Sequence, residues 1–145
     1  MQILKIIGIA FTTLALVPEL AHVFEMKTKM KLSKNHYRLV QRLYKGWAFF
    51  GIAIVIGLIA SVAIAIGSRD SQSIAAASWM SVLCISFALI FFFIVIFPIN
   101  RQTKNWTIMP DNWVSLRSQW ENAHAISAVL YSCALIMLVL SSVEF

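Results

Sequence analysis

The sequence predicts an all-α integral membrane protein, a four-helix bundle, and three observations carry that prediction. Of the 145 residues 60% are hydrophobic and 12% charged, whereas a soluble domain has roughly 25% charged residues. A water-soluble fold of this size would have too few charges to cover its surface. Four segments, at about 3–25, 46–67, 74–99 and 112–143, are each long enough to cross a hydrocarbon core of about 30 Å at about 1.5 Å per residue. The basic residues, finally, are confined almost entirely to two of the connections between those segments. The chain reads as one transmembrane domain, 1–145, without repeats or low-complexity stretches.

The first segment begins like a secretory signal, with Lys5 ahead of an apolar run. However, Ala15-Leu16-Val17 followed by Pro18 is a poor cleavage context, and Glu19 and His22 are foreign to such a peptide. A retained helix is expected, bent where Pro18 leaves the carbonyl of Leu14 without its helical partner. The second and third segments contain no charged residue. The fourth helix is expected to start near Pro110, with Asp111 or Asn112 as its cap. It is longer than the membrane requires, so its first turns project beyond the bilayer. Cys84 and Cys133 fall mid-membrane at similar depth and read as small hydrophobes rather than a disulfide. Trp79 reads as an interfacial anchor.

Lys27, Lys29, Lys31, Lys34, Arg38, Arg42 and Lys45 lie between the first two segments, and Arg101, Lys104 and Arg117 between the third and the buried part of the fourth. In a four-span protein these connections share a side. Only Lys5 and Arg69 lie on the other, so the positive-inside rule predicts cytoplasmic connections and both termini on the non-cytoplasmic side. The net charge of +6 is then chiefly a topology signal. The connection 26–45 reads as a solvated loop touching anionic headgroups. It carries no nucleic-acid motif, so the expected partner is the lipid bilayer and no nucleic acid.

Ionisable groups inside membrane spans are costly and mark candidate functional sites. Pro18, Glu19, His22 and Glu25 occupy one arc of about 120° on the first helix. On the fourth, Trp113, Arg117, Trp120, Glu121, His124, Ala128 and Tyr131 share a stripe about 100° wide. His22 and His124 are equally many residues from the far ends of their helices, which places both at the same membrane edge. Tyr44 and Trp47 open the second helix at that level, and Asn100, Thr103 and Trp106 follow the third.

Three kinds of cluster fit this pattern. His22-x-x-Glu25 and Glu121-x-x-His124 each set two metal ligands on one face, as in di-iron bundles, although the middle helices supply no carboxylate. Two histidines can also ligate haem. A pocket for a small hydrophobic ligand, lined by Trp113 and Trp120, is the second reading. A buried network in which Arg117 pairs with Glu121 or Glu25 and only locks the helices together is the third. No cofactor is firmly implied; iron or haem, held by His22, Glu25, Glu121 and His124, is the candidate.

The run Phe97-Pro98-Ile99-Asn100, Thr103, Asn105-Trp106-Thr107, then Pro110-x-x-Trp113-x-x-Leu116-Arg117-x-x-Trp120-Glu121-x-x-His124-Ala125 resembles the small bacterial membrane proteins related to anthrone oxygenases. Ala21-His22-Val23-Phe24-Glu25 and Tyr44-x-Gly46-Trp47-Ala48 look like their first two helices, so the resemblance covers most of the chain; Glu19 falls outside it. Fungal members use dioxygen to oxidise anthrones to anthraquinones. The resemblance thus implies a bacterial inner-membrane protein and an oxidoreductase acting on a lipophilic aromatic or quinol. An anthrone is a weak carbon acid whose carbanion reacts with dioxygen. His124 would be the base with His22 second, and Glu121 or Glu25 would orient the imidazole. Arg117 would stabilise the oxyanion, while Trp113 and Trp120 would stack on the rings. Glu25, Trp106, Trp47, Tyr44, Asn100 and Thr103 would line the substrate site. The alternatives are a non-catalytic lipid-, haem- or metal-binding protein and a purely structural network, either of which could form a homo-oligomer.

Overall fold

A computed structural model of the chain describes residues 1–143 and is built of helices, with no strand among the described residues. The last two positions of the expected domain, 144–145, lie outside the described residues. The helices are α1 (Gln2–Lys29), α2 (Lys34–Gln41), α3 (Phe50–Gly67), α4 (Gln72–Phe91), α5 (Phe97–Gln102) and α6 (Trp113–Leu140). Two 3-10 turns, Arg42–Tyr44 and Trp47–Phe49, lead from α2 into α3, and a π-helical turn, Phe92–Ile96, joins α4 to α5. The result is four rods long and apolar enough to cross a membrane: Gln2–Lys29, Trp47–Gly67, Gln72–Gln102 and Trp113–Leu140.

The rods form a ring in which α1 packs on α3 and α6, and α4 packs on the same two. At one end Met1 lies against Gly67, and Gly8 against Leu138 and Ile64. The connections 30–49 and 103–112 therefore share the opposite end, together with most of the basic residues.

The distribution of side-chain sizes across this bundle is that of a lipid-solvated protein. Ala15, Ala53, Ala60, Ser61, Ser78, Ser81, Ala88, Ala123, Ser127, Ala128 and Ala134 are buried, whereas Ile6, Phe24, Ile59, Phe87, Ile94 and Val129 stand outward. Lipid tails solvate large aliphatic groups as well as a protein core does, so helix association relies on small residues that let backbones approach. Gly57 shows this directly: a Cβ there would sit 3.0 Å from Thr12 Oγ1. Of the buried positions of α1, all but Leu16, namely Lys5, Gly8, Thr12, Ala15, Glu19, His22 and Lys29, follow steps of three, four and seven, the seam of a left-handed bundle.

Compared with the expected elements, the first helix extends four residues further, through Lys29, and runs unbroken across Pro18. The third rod also extends beyond 99, to Gln102. The connection 26–45 is more ordered than a solvated loop, since it carries α2, which lays Tyr37 and Gln41 into the bundle end. Cys84 and Cys133 are free thiols, and Trp79 is 46% exposed on the outer face, as an anchor requires.

Candidate functional site

At the basic end the buried seams of α1 and α6 turn polar together. Glu19 and His22 continue the inward stripe of α1, and Arg117, Trp120, Glu121 and His124 that of α6. Because the helices run antiparallel, the lower residues of one face the higher residues of the other.

His124 Nδ1 donates to Glu19 Oε2 at 2.7 Å. A carboxylate on Nδ1 fixes the tautomer and leaves Nε2 with the lone pair. That Nε2 is buried and has no hydrogen-bond partner among the described residues. The His22 ring lies against it, with centroids 4.2 Å apart and planes inclined by 32°. The Trp120 ring is 4.2 Å from His124 and 4.6 Å from His22, edge-on to both. Trp120 is itself fixed by Nε1 donating to Asn100 Oδ1 at 2.9 Å.

A second group sits one turn closer to the connections. The Lys29 ammonium is 2% exposed, lies 2.8 Å from Glu121 Oε2, and donates to His22 Nδ1 at 2.7 Å. Since the ammonium has no acceptor, His22 Nδ1 accepts and the ring proton resides on Nε2. Tyr37 donates to Glu121 Oε1 at 2.9 Å, which ties α2 to α6. Burial, reinforced by the Glu121 carboxylate, raises the Tyr37 phenol well above its ordinary value. Tyr44 donates to Glu25 and is raised too, again chiefly by burial. Glu25 stands at the rim with its side chain 47% exposed, 3.8 Å from Lys29.

Arg117 pairs with neither Glu121 nor Glu25, contrary to the sequence expectation. Its Nη1 donates to the carbonyls of Leu32 at 3.0 Å and Lys29 at 3.3 Å, capping the end of α1. Its guanidinium lies 4.6 Å from the centre of Trp113 and 5.4 Å from that of Tyr37. Trp106 is buried between Tyr37 and Trp120, at 5.0 Å and 5.7 Å. It is turned inward by a left-handed run in which Lys104, Asn105 and Trp106 have φ of 47°, 53° and 60°. Thr103 holds this run in place, donating from Oγ1 to the Ile99 carbonyl and accepting from the Trp106 N–H. Trp47 packs on Tyr44 at 4.9 Å and reaches His22 only at 6.4 Å.

All twelve residues singled out in the sequence thus lie at this end, and the structure adds three. Glu19, rather than Glu121 or Glu25, orients His124. Lys29, counted in the sequence as one of the loop cations, neutralises Glu121 from inside the bundle. Tyr37 completes that pair. Lys29 was detectable in principle, because it lies seven residues beyond His22 on the same seam. Tyr37 had no such signal, since its partner is 84 residues away.

The donor set does not suit iron or haem. The two imidazoles touch each other, leaving no room for a macrocycle between them. The Lys29 ammonium stands between His22 Nδ1 and Glu121 Oε2 where a shared metal ion would lie. No three His, Cys, Asp or Glu converge as metal ligands among the described residues. Two surface clefts, of about 260 and 410 Å³, lie elsewhere at this end, one on α2 and one beside Pro98. Compared with family models, curated proteins and solved structures, the chain matches none.

Proposed function

We propose that this protein is a small inner-membrane enzyme of the anthrone-oxygenase kind, in which His124 removes a proton from a lipophilic aromatic carbon acid. The observation that carries this reading is the Glu19–His124 pair, with its buried and unpartnered Nε2. A carboxylate-held imidazole with one free nitrogen is the arrangement of a general base. The Trp120 ring, 4.2 Å from His124 and 4.6 Å from His22, supplies an aromatic face of the kind a flat substrate drawn from the bilayer would pack on.

The chemistry balances with dioxygen as the oxidant. His124 takes one proton from the substrate methylene, and the carbanion passes its electron pair to dioxygen, forming a carbon–oxygen bond and a hydroperoxide. Loss of the second methylene proton with cleavage of the O–O bond leaves a carbonyl and one water. His22, whose Nδ1 is taken by Lys29, has its Nε2–H to offer the oxyanion. Arg117 serves as a positioning residue that fixes the start of the connection. Positive-inside topology puts this site on the cytoplasmic side and both termini across the membrane.

A second reading, a network that only locks the helices, draws support from Lys29, Glu121 and Tyr37, which pair with one another inside the bundle. Dioxygen uptake by the purified protein in lipid nanodiscs, supplied with an anthrone, separates the two. The enzyme reading expects one dioxygen per anthrone and a quinone product, with Glu19→Gln slowing turnover roughly 10²- to 10⁴-fold by freeing the imidazole. Absence of uptake above the uncatalysed rate would sink it in favour of the network.

A further inference from the structure

The outer face of α2 is unlike that of a solvated loop. The chain from Met26 to Lys45 contains no acidic residue, so Arg38 and Arg42 have no carboxylate to pair with inside their own segment. Arg38, on α2, and Arg42, which opens the 3-10 turn Arg42–Tyr44 directly after it, are four residues apart. Together with Asn35, His36 and Leu39 they line a cleft of about 260 Å³. Beside it Leu39 and Leu43, again four apart, are 58% and 72% exposed. Two large aliphatic side chains held outward in water next to two arginines would be an expense without return. Laid in the plane of a membrane surface, α2 and the turn after it bury these leucines among acyl chains and set the arginines at the depth of the phosphates.

From this we infer that the α2 cleft binds the phosphate group of an anionic phospholipid, whose acyl chains run over Leu39 and Leu43. Each guanidinium can present two parallel N–H donors to phosphate oxygens, and Asn35 and His36 add further polar groups at the rim. The exposed leucines favour a lipid over free phosphate, because only a lipid brings chains to cover them. The inward face of the same eight-residue helix carries Tyr37, which donates to Glu121. A lipid held in the cleft thus braces the element that closes the buried cluster. This inference stands whether or not the cluster is catalytic.

Native mass spectrometry of the full-length protein released from non-ionic detergent, with phosphatidylglycerol or phosphatidylcholine added, tests the inference directly. Phosphatidylglycerol should remain bound under collisional activation that strips phosphatidylcholine. Arg38→Gln/Arg42→Gln should weaken its binding roughly thirtyfold, whereas Lys45→Gln/Lys104→Gln, of equal charge and at the same end, should change it less than about threefold. Equal retention of the two lipids by the unaltered protein would overturn the assignment without recourse to any variant. So would an equal loss in both double variants, or displacement of phosphatidylglycerol by inorganic phosphate, which would make the cleft a site for the free anion.

Discussion

Lys29 shows how much the meaning of a residue depends on what it faces. In the sequence it is one of seven cations in a basic stretch; in the fold its ammonium is enclosed by Glu121, His22 and the rings of Tyr44 and Trp120. Enclosing an ion pair costs desolvation that only close geometry offsets, and removing one partner leaves the other charge stranded. Lys29→Met should therefore destabilise the protein by about 3–5 kcal/mol, while Lys29→Met/Glu121→Leu should recover much of the loss. Thermal unfolding in detergent measures both, and equal destabilisation by the single and double variants would refute the pairing. The same dependence on context explains which site residues could be recognised beforehand. His22, Glu25, Arg117, Glu121 and His124 stand out because ionisable groups in apolar runs are conspicuous. Their pairings are not legible, since Glu19, Glu25 and Glu121 offer similar chemistry within two turns and only the register of α1 against α6 selects Glu19 for His124.

At the scale of elements, the four rods were legible because apolar length is a strong and additive signal. The shorter pieces depend on contacts distant in sequence. α2 is a polar segment that becomes a defined helix because Tyr37 docks on Glu121, and the left-handed run Lys104–Trp106 persists because Thr103 and Trp106 are buried. Such backbone costs each non-glycine residue about 1–2 kcal/mol, and no local propensity announces it. The docking of α2 has a pH signature. A tyrosine whose folded pKa is raised keeps its proton where the unfolded chain releases one, so its stabilising contribution is intact below the ordinary value of 10.0 and lost as pH climbs above it. Stability should fall with alkalinity from about pH 10 upward, and Tyr37→Phe should flatten that slope. Unfolding midpoints across this range give the answer; an unchanged slope in Tyr37→Phe would mean that α2 is held by other contacts.

For the molecule as a whole, the separation of small residues inside from large aliphatic residues outside makes lipid the solvent for most of the surface. At the basic end polar side chains from both long seams converge. That convergence was readable from equal depth along two helices, because rise per residue is nearly constant. Its chemistry was not, since a general base and a structural histidine differ only in whether one ring nitrogen is left free. His124→Asn isolates that difference: the asparagine amide can still donate to Glu19 from the position of Nδ1, while Nε2 is deleted. The decisive measurement is the rate of anthrone-dependent dioxygen uptake by this variant. The unaltered protein should take up dioxygen, and the variant should lose that rate roughly 10²- to 10⁴-fold with an unfolding midpoint close to that of the parent. Retained turnover in His124→Asn, or none in either protein, would rule out His124 as the base.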